Sequence, residues 1–328
     1  MGEKIFSWAF IGSGRMANTA AGEILKSGRH SIAVVYSRNE RSGQAFADRF
    51  KGIYTNSLEA ALSKEGVDGV YVAVPQNVHF LYARRAIEAG KPVMVEKPFT
   101  VNANEAQELI LLARERKVFL SEAMCMVYNP IMDEVLKAAG RLGKIESVDI
   151  RYAMATRYII RLPRLMEASS AGGALMELGV YGVDFCNLLF DGEPEIIVES
   201  CKLKSGVDAG EKLILRYPDG AARLNISLES FAGLPRAIVN GERGRIEVPF
   251  FSAPKGFKAV IGGKAQKERL TEDGRYIFEF DEFAREVRDG REEPGKLKHG
   301  DIERTMRVMD GIRRKLGVRF PALEEDFS

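Results

Sequence analysis

The chain has 328 residues and a formal net charge of +2, a length that favours two domains and a balance, 48 basic against 46 acidic side chains, with no overall basic field to draw in nucleic acid or an anionic membrane surface. Apolar residues at 45% and charged residues at 29% are ordinary for a soluble globular protein. Cys125, Cys186 and Cys201 are scattered with no C-x-x-C, and His30, His79 and His299 form no H-x-x-x-H pair, so neither a disulfide framework nor a metal site is indicated.

In chain order, residues 5–11 read as a strand. The apolar run is too short for a signal-peptide core or a membrane span, so a cytoplasmic protein is expected. The strand enters Gly12-Ser13-Gly14-Arg15-Met16-Ala17, and a helical pattern follows to about Ser27. This is G-x-G-x-x-A between a strand and a helix. Gly12 allows the tight turn, Gly14 lets a pyrophosphate approach the backbone, and Ala17 lets helix and strand pack closely. The free N–H groups that open the helix, around Ser13, Arg15 and Met16, then face the phosphates. A tight strand–helix turn with no ligand is the plainer alternative.

The next strand, residues 32–36, ends at Ser37-Arg38-Asn39. An NAD site usually places Asp or Glu here for the ribose hydroxyls, whereas a guanidinium suits a 2′-phosphate. NADP is therefore preferred to NAD, with Ser37 and Arg38 beside it, although Arg38 could instead stack on adenine or face solvent. Helix (41–50), short helix (57–64) and strand (69–74) follow. Val74 and Pro75 lead to a turn in which Asn77 reads as a helix N-cap, with His79 in the first turn either a plain surface residue or, with Val74, Pro75, Asn77 and Glu96, a cofactor contact, and not a catalytic group. That helix ends at Ala89 with Gly90 as its cap. Val93-Met94-Val95 is a short buried strand that ends on Glu96-Lys97-Pro98. Asn102 caps a helix over 103–116, and 118–120 is a further strand. Alternation of this kind gives a parallel sheet with right-handed crossovers, and ligands bind outside the carboxyl ends of its strands.

After residue 122 the pattern changes, dividing the chain into 1–122 and 123–328. A helix over 130–139 and a strand over 144–153 precede Gly172-Gly173. A helical run, 174–190, then carries Glu177, Tyr181 and Asp184 at spacings that share one face. Strand-like segments at 196–202, 211–217, 221–228, 237–240, 245–248 and 257–261, joined by turns such as Pro218-Asp219-Gly220, argue a mostly antiparallel sheet. Helices at 277–288 and 299–316 close the chain. Arg157, Arg161 and Arg164 either line a pocket for a polyol or acidic sugar or form a solvated basic face.

With Gly12-x-Gly14-x-x-Ala17, Val74-Pro75-Gln76-Asn77-x-His79, Ala89-Gly90-Lys91-Pro92 leading to Glu96-Lys97-Pro98, and Gly172-Gly173-Ala174-Leu175-Met176-Glu177-Leu178-Gly179-Val180-Tyr181 in view, the chain resembles the Gfo/Idh/MocA oxidoreductases over nearly its whole length. Within that family it looks like the branch of glucose-fructose oxidoreductase, dimeric dihydrodiol dehydrogenase and xylose dehydrogenases. The resemblance implies an α/β protein: an N-terminal Rossmann domain and a C-terminal α+β domain with a large, mostly antiparallel open sheet, through which homodimers or homotetramers form. It implies that Lys97 bonds the substrate hydroxyl and the nicotinamide ribose, that Tyr181 gives or takes the proton, and that Glu96 and Pro98 position Lys97, with the Lys97-Pro98 peptide cis. Glu177, Arg164 and Tyr128 are the substrate candidates, on a sugar, polyol or diol. Two departures stand out. The family usually has Asp at Glu177, and the dihydrodiol enzymes have Trp and Arg at Cys125 and Val127, so their aromatic preference does not transfer.

Alcohol oxidation moves a hydride to the nicotinamide and a proton to a side chain. A phenol is a poor base at its usual pKa near ~10 and a better one beside an ammonium. Lys97 and Tyr181, from different domains, would supply that pair. A non-catalytic NADP- and sugar-binding sensor is the rival reading. A methyltransferase is a third, disfavoured by Ser37-Arg38 and Glu96-Lys97-Pro98.

Overall fold

The computed structural model describes residues 4–155, 163–230 and 233–320, so Arg157 and Arg161 lie outside the described residues. The chain divides into two compact units. One comprises Met1–Thr100, Asn104–Tyr128 and Gly274–Ile302, and the other Val101–Ala103, Asn129–Asp273 and Glu303–Ser328. A single cut after residue 122 does not express this, because a late segment belongs with the first unit.

In the first unit β1 (Phe6–Ile11), β2 (His30–Tyr36), β3 (Ile53–Thr55), β4 (Gly69–Val72), β5 (Val93–Glu96) and β6 (Leu120–Ala123) pair in parallel in the order β3-β2-β1-β4-β5-β6. Between them run α1 (Arg15–Ile24), α2 (Glu40–Phe50), α3 (Leu58–Leu62), α4 (His79–Glu88) and α5 (Ala103–Arg116), with the short α6 (Cys125–Tyr128) after β6. Every residue of β4, β5 and β6 is buried, the burial that parallel strands need. The strand order reverses between β1 and β4. The glycine turn follows β1, Val74–Asn77 follows β4 and Lys97 follows β5, so all three lie on the carboxyl edge.

Several strands differ from the sequence reading: Lys264–Arg269 has no counterpart there, its run of polar residues showing no apolar period, and two strands of the first unit also depart from it. Ile53–Thr55 is too short to show a period, yet pairs with β2. β6 runs to Ala123 rather than ending at Leu120, because Ser121 and Glu122 are polar but buried, and polarity had disguised the strand.

The late segment is α9 (Ile277–Arg288). Its Phe280 and Phe283 rings lie 4.8 and 4.9 Å from Trp8, Phe280 4.9 Å from Tyr71 and Phe283 6.0 Å from Phe6. Each such ring removed from water contributes about 1.5–3 kcal/mol. Glu23 of α1 supplies the cap that α9 lacks: its Oε1 accepts the N–H groups of Arg275, Tyr276 and Ile277 at 2.7, 2.7 and 3.0 Å. Trp8 Nε1 donates to His30 Nδ1 at 3.2 Å, so Nε2 carries the His30 proton and donates to Asp281 Oδ1 of α9 at 2.9 Å.

The second unit is a mixed sheet of β7 (Ile145–Ala153), β8 (Glu195–Lys204), β9 (Val207–Tyr217), β10 (Gly220–Ser227), β11 (Arg236–Gly241), β12 (Gly244–Pro249), β13 (Gly256–Ile261) and β14 (Lys264–Arg269), in the order β14-β13-β12-β11-β7-β10-β9-β8. All pairs are antiparallel except β7 with β10. Register and period 2 together build its core. Leu213, Leu224, Ile150, Ala237 and Val248 face one another across five strands, all buried. One step along, Lys212, Asn225, Arg151 and Arg236 form the matching row on the other face. α7 (Pro130–Ala139), α8 (Val180–Asn187) and most of α10 (His299–Leu316) belong to this unit. No helix among the described residues is long and apolar enough to cross a membrane.

Candidate active site

The two glycines of the turn have different reasons. Gly12 has φ of +111°, and a Cβ there would stand 2.5 Å from the carbonyl oxygen of Ala73, so the protein's own backbone requires glycine. At Gly14 a Cβ would meet no atom within 4 Å. The space there is open, α1 begins with no side-chain cap and no acidic residue in its first turn, and Arg15 is exposed with Met16 half-buried behind it. Open space over uncapped N–H groups fits a dinucleotide pyrophosphate. Asn18 holds the turn by donating from Nδ2 to the Ser13 and Gly14 carbonyls, each at 3.0 Å.

At the end of β2, Ser13 Oγ lies 2.9 Å from Ser37 Oγ and 2.8 Å from Ser42 Oγ, with Arg38 exposed beside them. Sequence reading named Ser13, Ser37 and Arg38 and missed Ser42, which no motif marks.

After β4, Gln76–Val78 is a short 3-10 turn and α4 starts at His79 with no side-chain cap. Asn77 is therefore not the N-cap expected, because the tight turn moves the helix start past it. His79 is buried, with Nδ1 2.9 Å from the Pro98 carbonyl oxygen and Nε2 3.0 Å from that of Val74. It therefore ties the Val74-Pro75 loop to the Lys97-Pro98 corner. Burial pulls its pKa down to about 4 against the pull of the two carbonyls, so the neutral ring donates to one at a time. Glu96 is buried and accepts a hydrogen bond from the Tyr71 hydroxyl. Lys97 is half-buried, and the Lys97-Pro98 peptide is cis. Glu279 of α9, unmarked in the sequence, is also buried, and both its oxygens lack a hydrogen-bond partner among the described residues. Burial, then the Glu96 charge, pushes its pKa well up.

In the second unit, a Cβ on Gly172 would stand 2.6 Å from the Leu165 carbonyl oxygen and 2.8 Å from that of Arg164. Gly173 has φ of +122° and a Cβ there would meet Asp208 Oδ1 at 2.2 Å. The double glycine is a packing requirement. The helix that follows opens as a π turn, Leu175–Gly179, before α8. Tyr181 is buried and its ring centre lies 5.9 Å from that of Tyr152, whose hydroxyl accepts from Ser252 Oγ at 3.0 Å.

The shared polar face expected of Glu177, Tyr181 and Asp184 does not form. All of α8 is buried, Asp184 accepts from Thr305 Oγ1 at 2.5 Å, and Asn187 donates to the same hydroxyl at 2.9 Å. Only Glu177, in the wide turn, stays half-exposed. Arg164 is half-exposed in the turn Pro163–Met166. Tyr128 lies in the first unit, apart in the chain from those two, and burial followed by the Glu286 charge pushes its hydroxyl pKa well up. No group of His, Cys, Asp and Glu among the described residues could hold a metal ion.

The pattern of the Gfo/Idh/MocA oxidoreductase family, NAD-binding Rossmann fold, matches residues 6–124, and that of the Gfo/Idh/MocA C-terminal domain matches residues 134–247. The chain belongs to this family of NAD(P)-binding oxidoreductases. It is 28% identical over 330 residues to the trans-1,2-dihydrobenzene-1,2-diol dehydrogenase of Mus musculus, spanning 96% of this chain and 98% of that one. It is 28% identical over 365 residues to the D-xylose 1-dehydrogenase (NADP(+)) of Hypocrea jecorina, spanning 96% and 93%. Among solved structures it is similar in fold to KijD10, a 3-ketoreductase from Actinomadura kijaniata in complex with NADP, with a TM-score of 0.84 and 24% identity over 95% of this chain and 98% of that one.

Proposed function

We propose that the protein is an NADP-dependent dehydrogenase or reductase acting on a CH–OH carbon of a sugar, polyol or diol. The observation that carries the reading is the Glu96-Lys97-Pro98 corner, held by Tyr71 and His79 at the sheet edge where the glycine turn lies. The relatives named for diol and xylose oxidation support the substrate class. Ser37 and Arg38, with no acid at the end of β2, support NADP.

A bound nicotinamide supplies or accepts the hydride. Lys97 donates to the substrate oxygen and stabilises negative charge as it develops there. Tyr181 takes the hydroxyl proton in oxidation and returns it in reduction. Glu177 and Arg164 orient the other hydroxyls. The outer face of the second unit's sheet, with its row Lys212, Asn225, Arg151 and Arg236, is the surface for self-association.

The test is nicotinamide absorbance with NADP or NADPH and a panel of aldoses, inositols, diols and their carbonyl counterparts. Turnover is expected on at least one, lost by about 10²–10⁴-fold in Lys97→Met and Tyr181→Phe. Binding of NADP and sugar without turnover would mean a sensor and overturn the reading.

A further inference from the structure

Asp208 and Glu211 of β9 are closed from solvent, at 0% and 2% exposure. Among the described residues Asp208 Oδ1 and both oxygens of Glu211 have no hydrogen-bond partner, and neither side chain has an ion pair. The fourth oxygen, Asp208 Oδ2, accepts the Leu175 N–H at 2.6 Å. Asp208 Oδ1 fills the space that a Cβ on Gly173 would take, and Glu211 Oε1 lies 3.6 Å from the Cβ position of Gly179. The pair therefore lies along the π turn Leu175–Gly179, Asp208 bonded to its first N–H and Glu211 beside Gly179, where the turn passes into α8. Tyr181 is the second residue of that helix.

Two ionised carboxylates cannot share a buried site without a cation. The cations Lys202 and Lys204 line the same cavity as Glu211 but are paired with Glu229. Cys201 faces Glu211 across the β8–β9 ladder and Ile226 faces it from β10. Glu177 is the titratable residue of the turn. Burial raises the pKa of both carboxyls, and the Asp208 charge raises that of Glu211 further. The Leu175 N–H favours the charge on Asp208, so the proton rests on Glu211.

We propose that Asp208 and Glu211 hold one proton between them and are positioning residues for Tyr181, clamping the turn from which its helix grows. The role in turnover rests on the reading of Tyr181 given above, whereas the clamp itself is read without turnover.

With both pKa values raised, the stability of the protonated pair is fully present below the ordinary carboxylate range; above it the single shared proton keeps the clamp, which is lost as pH rises through the raised value of Glu211. The experiment takes the full chain, wild type, Glu211→Gln and Asp208→Asn, through infrared spectroscopy of carboxyl groups and amide hydrogen exchange from neutral to alkaline pH. Protonated-carboxyl absorbance at neutral pH is expected to be weaker in Glu211→Gln than in the wild type, the band that remains belonging to buried Glu279. Protection factors of the 175–181 amides fall with alkalinity in the wild type and hold steady in Glu211→Gln, whose amide donates at every pH. Asp208→Asn is expected to lower kcat by roughly 10–100-fold through misplacement of Tyr181, with the Kd for NADP unchanged. An identical carboxyl band in wild type and Glu211→Gln, or an identical pH dependence of protection, overturns the clamp. If Tyr181→Phe keeps full turnover while the band and protection behave as stated, the clamp stands and only the catalytic reading of Tyr181 falls.

Discussion

His79 shows how a residue can matter to a site without reacting in it. Its ring bridges Val74 and Pro98, two backbone points on different strand ends. Its pKa is lowered to about 4, below the unfolded value near ~6.5. The stability it contributes is thus present above the unfolded value and lost as pH falls through the folded one, amounting to about 3 kcal/mol. Urea unfolding across the acid range should show this loss, and His79→Gln should flatten it. A slope unchanged by the substitution would remove the role assigned to burial. At the cofactor edge, Arg38→Asp should reverse the preference between NADP and NAD, read as the ratio of Kd values in titrations followed by nicotinamide fluorescence. Ser42→Ala should weaken NADP and leave NAD unmoved. Ser13, Ser37 and Arg38 were legible because they sit at fixed offsets from the strand ends, whereas Ser42 is an ordinary first-turn serine until the fold puts its hydroxyl 2.8 Å from Ser13.

Elements here owe their ends to distant chain. α9 has no cap of its own, and Glu23 accepts three of its N–H groups. Glu23→Ala should cost about 1–2 kcal/mol in denaturant unfolding, the range for loss of a cap. Gly173→Ala should cost more, about 3 kcal/mol or above, because positive φ and the Asp208 carboxylate both oppose the new methyl. It should melt earlier than a control at Gly290, where a Cβ meets nothing within 4 Å and only φ opposes it. The boundaries of α5, α7, α9 and α10 agree with the sequence reading, since each shows a sustained apolar period between clear stops. The π turn was not legible, because period alone does not say where a helix widens around a buried pair.

At the scale of the molecule, the first unit is not a simple N-terminal segment. Phe280 and Phe283 complete the aromatic cluster of Phe6, Trp8, Phe10 and Tyr71. A fragment of residues 4–128 should therefore bind a hydrophobic dye and unfold without cooperativity, while the same fragment carrying 274–302 through a flexible linker should recover a cooperative transition. Equal cooperativity in the two would show the cluster to be dispensable. The sequence placed a boundary where the pattern of elements changed, and pattern is local, whereas membership of a core is decided by contacts between residues some 270 positions apart, as Trp8 and Phe280 are.

What the sequence by itself determined was the alternation of strands and helices, the glycine turn, the missing acid at Ser37-Arg38 and the Glu96-Lys97-Pro98 corner, all carried by neighbours within one turn or strand end. Only the tertiary structure decided that Gly14 faces open space while Gly12 and Gly173 face the protein, that Asp184 is a structural anchor, that α9 closes the first core, and that Asp208 and Glu211 meet beneath the turn leading to Tyr181. Local motifs constrain φ, ψ and hydrogen bonds within a few residues. Burial, pKa and partner choice depend on which distant side chains arrive, and that depends on the whole fold.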